Sequence, residues 1–177
     1  MPRTTTGQDT PAARPGHCAL ERRLRLLEDR EALRSLLHRG WWALDRRDWG
    51  TWIGCWAEDA VLEFGPWEEV RGRDAIRARV EEAESAYPSM QHHLLNLDFD
   101  VDAERGRATG TGYMWFVAVT APGLDTAPYA MGGPYDWEFR RDDGAADGGQ
   151  NNGGWRLTRQ RLGVWWTTGE DRQNSFG

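Results

Sequence analysis

The sequence predicts an α+β domain in which a curled, mostly antiparallel sheet packs on helices and leaves a pocket at its open end. Three features carry that expectation. Apolar residues recur at helical spacing in the first half of the chain, and they alternate with period two through most of the second. At 177 residues, the chain also suits one domain that can bury a sizeable core.

The first helix is the clearest element. Leu20, Leu24, Leu27, Leu33, Leu36, Leu37, Trp41 and Leu44 form its apolar stripe, while Glu21, Arg25, Arg30 and Arg34 fill the opposite face. It should stop near Arg46, because Asp48 reads as the N-cap of a second, short helix from Trp49 to Trp56. Ala60 to Phe64 and Trp67 to Arg71 flank the turn Gly65-Pro66 as a hairpin. Asp74 to Ala86 is helical through Ile76, Val80 and Ala83, and Pro88 stops it. Strands follow at Met90 to Val101, Ala108 to Thr120, Ala130 to Arg140 and Trp155 to Thr167. The expected organisation is an N-terminal arm over residues 1–18, one domain over 19–169 with a mobile Gly-rich loop at 142–154, and a tail over 170–177.

Composition narrows the chemistry. A net charge of −6 offers no broad cationic surface for nucleic acid or anionic lipid. All 22 basic residues are arginine, which removes Schiff-base chemistry and lysine general bases. Cys18 and Cys55 make neither a disulfide framework nor a zinc cluster. No apolar run approaches the roughly 20 residues of a membrane helix, and the first residues lack a secretory apolar stretch. A cytoplasmic location is therefore expected. Tryptophan is the outlier at 11 residues, and its flat faces serve cores and ligand pockets alike. Nucleotide-binding, zinc-protease and serine-hydrolase motifs do not occur.

Five segments carry a family resemblance: Leu44-Asp45-Arg46-Arg47-Asp48-Trp49, Trp56-Ala57-Glu58-Asp59-Ala60-Val61, Val70-Arg71-Gly72-Arg73-Asp74-Ala75-Ile76, Gln91-His92-His93-Leu94-Leu95-Asn96 and Gly154-Trp155-Arg156-Leu157. In this order they resemble the SnoaL-like, scytalone dehydratase-like branch of the nuclear transport factor 2-like superfamily. The resemblance implies a cone-shaped curved sheet wrapped on three N-terminal helices. It also implies a homodimer or homotrimer, and an enzyme that works without metal or organic cofactor through an Asp and a His. Dehydratases, polyketide cyclases and isomerases share this fold, as do non-catalytic subunits.

Asp45 is the first candidate. A carboxylate in the last turn of a helix opposes the macrodipole, so it needs compensation. The resemblance makes it the catalytic Asp. Within His92-His93, adjacent strand residues point to opposite faces. The resemblance selects His92 as catalytic, whereas strand parity groups His93 with Leu95, Leu97 and Phe99 unless a bulge intervenes. A carboxylate beside a histidine fixes its tautomer, and a neutral imidazole can then take a proton near pH 7. Trp41, Phe64, Trp67, Tyr113, Trp115, Tyr135, Trp137, Arg161 and His93 are the expected substrate-binding residues, with Arg161 a candidate anion holder.

The resemblance has gaps. Where scytalone dehydratase-type enzymes carry tyrosines and a second histidine for the departing oxygen, this chain has Leu44, Phe64 and Met114. Gly40 stands where a bile-acid dehydratase-like enzyme has tyrosine. The expected function is a cofactor-free lyase, cyclase or isomerase acting on a hydrophobic, oxygenated or polyketide-like small molecule in secondary metabolism. Ring closure or a double-bond shift is favoured over loss of water. The alternative is a ligand-binding or oligomeric partner subunit of the same fold.

Overall fold

The structure is a computed structural model that describes residues 15–65, 67–121, 123, 127–142 and 153–171. Helix α1 spans Pro15–Asp45, so Pro15 to Cys18, expected in the arm, already belong to it. Proline is tolerated at a first helical position because its missing N–H has no intrahelical partner there. The apolar stripe of α1 splits into two parts. Leu33, Leu36, Leu37, Trp41 and Leu44 are buried, but Leu20, Leu24 and Leu27 stay exposed on the N-terminal half. Asp29, buried between these parts, accepts hydrogen bonds from Arg141 Nη2 and Trp155 Nε1 and ties the helix to the sheet.

Arg47, with a φ of 59°, turns the chain from α1 into α2, Trp49–Ile53. Asp48 caps α2 as expected, accepting from Thr51 N at 3.1 Å. The short helix ends before Trp56, which already belongs to strand β1, Trp56–Phe64. β2, Val70–Arg71, pairs antiparallel with β1. α3 spans Arg73–Glu84 and buries Ile76, Val80, Ala83 and Glu84.

Strands β3 (Ser89–Asp102), β4 (Arg107–Val119), β5 (Tyr129–Arg141) and β6 (Trp155–Leu162) continue antiparallel. β1 then pairs with β6 in parallel, giving the order β2-β1-β6-β5-β4-β3. The expected last strand is broken. Gly163 to Trp165 leave the ladder, and β7, Trp166–Thr168, folds back on β5. The expected loop at 142–154 and the tail lie mostly outside the described residues.

Two register shifts decide which side chains face inward. In β3, Leu95 pairs with Tyr113 and Asp98 with Thr111, so β3 holds one extra residue there, and Asn96 takes a φ of 53°. Before this bulge the even residues Met90, His92 and Leu94 turn inward; after it, Leu97, Phe99 and Val101 do. In β6, Glu138 pairs with Arg159 but Phe139 with Leu157, and the inward set changes from Trp155 and Leu157 to Gln160 and Leu162.

Gly133 lets the break before β7 cross β5 closely. A Cβ there would lie 1.7 Å from Gly163 O. Gly133→Ala should therefore destabilise the fold by about 3 kcal/mol or more, because backbone rather than a flexible side chain must move. Urea denaturation measures this, and a midpoint equal to wild type would show that the crossing is not tight.

Candidate active site

Asp45 ends α1, and His92 sits early in β3, the strand that α1 packs against. The approach is close. Asp45 Oδ1 lies 2.7 Å from His92 Nδ1. His92 N–H also donates to Asp45, 3.1 Å from both Oδ1 and Oδ2. These bonds offset the unfavourable placing of a carboxylate at a helix C-terminus. A carboxylate only accepts, so Nδ1 carries a ring hydrogen, and in the neutral ring the lone pair is then on Nε2.

The His92 ring spans the wall of the cone. Asp45 faces an outer groove beside His38, Trp42 and His93. The His92 side chain itself is 5% exposed and also lines the inner cavity, packed on Phe116 with ring centroids 4.8 Å apart. The cavity is narrow: about 40 Å³ of it admits the centre of a water-sized sphere, and it widens toward an open mouth. Its apolar walls come from Trp41, Leu44, Trp52, Trp56, Leu62, Phe64, Trp67, Val80, Met114, Met131 and Leu162; its polar groups come from Glu84, His92, Tyr135 and Gln160.

The expected substrate-binding set divides between cavity and periphery. Trp41, Phe64, Trp67 and Tyr135 line the cavity. Trp137 stands behind it, stacked on Tyr135 at 4.9 Å and donating through Nε1 to Gln160 Oε1 at 3.1 Å. Tyr113, Trp115 and His93 lie on the outer face, because the bulge in β3 and the pairing of β3 with β4 put them opposite His92 and Met114. Arg161 is outside too. It donates to Glu63 Oε2 at 2.8 Å, Arg159 pairs with the same carboxylate, and the register shift in β6 turns Gln160 inward instead. Leu44, Phe64 and Met114 all line the cavity, so the substituted positions are pocket positions. Gly40 is packed against Cys55, whose Sγ would lie 3.3 Å from an added Cβ, leaving no room for a tyrosine.

Glu84, the last residue of α3, is the cavity group that sequence reasoning missed. It is 6% exposed, and Oε1 lies 3.7 Å from His92 Nε2, beyond hydrogen-bond reach. Among the described residues, Oε2 has no hydrogen-bond partner. Burial raises its pKa from 4.5 to about 7; the Asp45 charge adds to the rise, while His92 and Arg47 oppose it. Its signal in the sequence was position: Glu84 follows Ile76 and Val80 at four-residue spacing, on the apolar face of α3. Burial also raises the Tyr135 phenol far above its ordinary range, so it stays protonated. Trp52 and Trp56 present buried Nε1 donors without a partner among the described residues. No three His, Cys, Asp or Glu side chains of the described residues converge as metal ligands would.

The geometry has relatives. The family model of the SnoaL-like domain matches residues 25–161. A scytalone dehydratase-like protein from Novosphingobium aromaticivorans is 19% identical, with a TM-score of 0.65 over 78% of this chain and 85% of its own. A nuclear transport factor 2-like protein with a cystatin-like fold from the same organism is 24% identical, with a TM-score of 0.67 over 89% and 94%. A hexachlorocyclohexane dehydrochlorinase from Novosphingobium barchaimii is 17% identical, with a TM-score of 0.68 over 84% and 94%. At these identities the likeness establishes the shared fold. No curated relative matches significantly.

Proposed function

The chain belongs to the SnoaL-like domain family, and we propose that it is a cofactor-independent acid–base enzyme of the lyase, cyclase or isomerase type. Its substrate is an apolar, oxygenated ring or polyketide-like molecule of secondary metabolism, and Asp45 and His92 form the dyad. The observation that carries this reading is the 2.7 Å contact between Asp45 Oδ1 and His92 Nδ1, which leaves Nε2 on the cavity side. Asp45 holds the ring and its tautomer, and Nε2 takes a proton from a carbon next to a carbonyl. The indole N–H groups of Trp52 and Trp56, unpartnered among the described residues, suit an oxygenated ligand, since buried donors gain most when an acceptor arrives. Aromatic walls suit a flat one.

The direct test uses 2-tetralone, an apolar bicyclic ketone with exchangeable α-protons. In D2O the wild-type protein should accelerate loss of the α-proton signals in the ¹H NMR spectrum. Tight binding without acceleration would favour a ligand-binding role instead.

We also propose that the chain forms a homo-oligomer through the outer face of β3, β4 and β7. Leu95, Tyr113, Trp115, Trp165 and Trp166 are 41–67% exposed, and rings pair there as Tyr113 with Trp165 and Trp115 with Trp166. A contiguous apolar patch of this kind is a usual mark of an interface. Leu97 and Phe99, which strand parity groups with Leu95, pack against the core instead. Light scattering at micromolar concentration should give a multiple of the chain mass, and Trp115→Arg with Trp166→Arg should give the single-chain mass. A monomeric wild type rules the interface out.

A further inference from the structure

Three polar groups stand in a row through the wall of the cone. Asp45 is outermost, His92 lies in the wall, and Glu84 is inside. The acid–base reading uses the first two. Among the described residues Glu84 Oε2 has no partner, and its Oε1 stops short of His92. A polar group buried in this way is costly, and it ends α3 at the negative pole of the helix dipole. An apolar side chain would fill the space more favourably.

Resting on the acid–base reading, we propose that Glu84 is a further catalytic residue: its carboxylic acid donates a proton to the substrate's departing oxygen while His92 removes a proton from the adjacent carbon. The 3.7 Å between Oε1 and Nε2 places donor and acceptor on the same side of the cavity. Both can then address neighbouring atoms of one substrate from one face. Leu44, Phe64 and Met114 cannot supply that proton, and the buried Tyr135 phenol is too weak an acid to deliver it efficiently.

The balance is complete within the site. His92 Nε2 takes the proton on the carbon α to the carbonyl, and the C–H electron pair becomes the new C=C bond. The C–O bond at the β-carbon breaks, and its oxygen takes the Glu84 proton and leaves as water. His92 is then protonated and Glu84 ionised, face to face. Transfer of the proton from Nε2 to Oε1 after product release restores both. Loss of water thereby becomes available to a cavity whose other positions lack the groups for it. The charged and titratable groups that face Glu84 are Asp45 and Arg47 at the end of α1, His92 on β3 and Tyr135 on β5. A carboxyl raised to about 7 is protonated in part near neutrality, the condition for an effective acid.

The test pairs two probes. 3-Hydroxy-1-tetralone loses water to give fluorescent 1-naphthol, which needs both acid and base; α-proton exchange of 2-tetralone needs chiefly the base. Glu84→Gln keeps the shape and removes the acid. It should lower kcat for dehydration by about 10²-fold or more with KM within a few-fold, a clearly larger loss than the same variant causes in exchange. The alkaline limb of the dehydration profile, expected near pH 7, should disappear in the variant. Independently of turnover, a ¹³C carboxyl resonance present in wild type and absent in Glu84→Gln should titrate near neutrality. Unchanged dehydration by the variant, with exchange intact, overturns the role of Glu84 alone, as does a carboxyl that finishes titrating below about pH 5. A wild-type protein inert toward both probes overturns the underlying acid–base reading and this assignment with it.

Discussion

His92→Ala should lower turnover by about 10²-fold or more while leaving the fold intact, because general acid–base catalysis is typically worth 10²–10⁴. The ring bridges Asp45 and the cavity, and no other described imidazole does so: His93 is exposed on the outer face beside Trp115, and His38 lines the outer groove. Asp45→Asn should cost a comparable factor for a different reason. An amide in place of the carboxylate can offer hydrogens to Nδ1, releasing the tautomer that keeps the Nε2 lone pair toward the cavity. His93→Ala should change turnover little. The rate of α-proton exchange on 2-tetralone, with circular dichroism as the check on folding, measures all three. Equal losses for His92→Ala and His93→Ala would detach the activity from the dyad.

Glu84→Gln should stabilise the protein at alkaline pH. The carboxyl of Glu84 is raised from 4.5 to about 7, chiefly by burial. Between those values the native state holds a proton that the unfolded chain releases, so wild-type stability falls as pH rises through that window. Below about 4.5 both states are protonated and no penalty acts; above about 7 both are ionised and the full penalty remains. A shift of this size corresponds to about 3 kcal/mol, at about 1.4 kcal/mol per unit. The variant removes it. Thermal unfolding should therefore show the variant roughly 6–12 °C more stable than wild type at pH 8, with the difference largely gone at pH 4. A constant difference at both values would mean that Glu84 is not held above its ordinary range. A residue that weakens the fold where the acid it provides is needed has the profile of a functional group rather than a structural one.

The family is legible through the five segments that resemble it, and fold class and the order of most elements are legible in the sequence alone. They rest on local periodicity: the stripe from Leu33 to Leu44, the cap at Asp48 and the alternating strands each specify their own segment whatever surrounds them. The approach of Asp45 to His92 is legible as well, through the segments they belong to. The direction of the side chains, by contrast, comes from register and packing. A single extra residue near Asn96 reverses the parity of β3, puts His92 inside and His93 outside, and returns Leu97, Phe99 and Val101 to the core. A second shift in β6 sends Arg161 to Glu63 on the exterior and brings Gln160 in. Because the side-chain period of a strand is two, one inserted residue changes the face of everything beyond it, and the alternating pattern alone does not record the insertion. Glu84 escaped for a related reason. On α3 it differs from an ordinary solvated glutamate only by lying on the buried stripe, and its meaning comes from His92, a residue on another element that only the packing of α3 against the sheet brings within 3.7 Å.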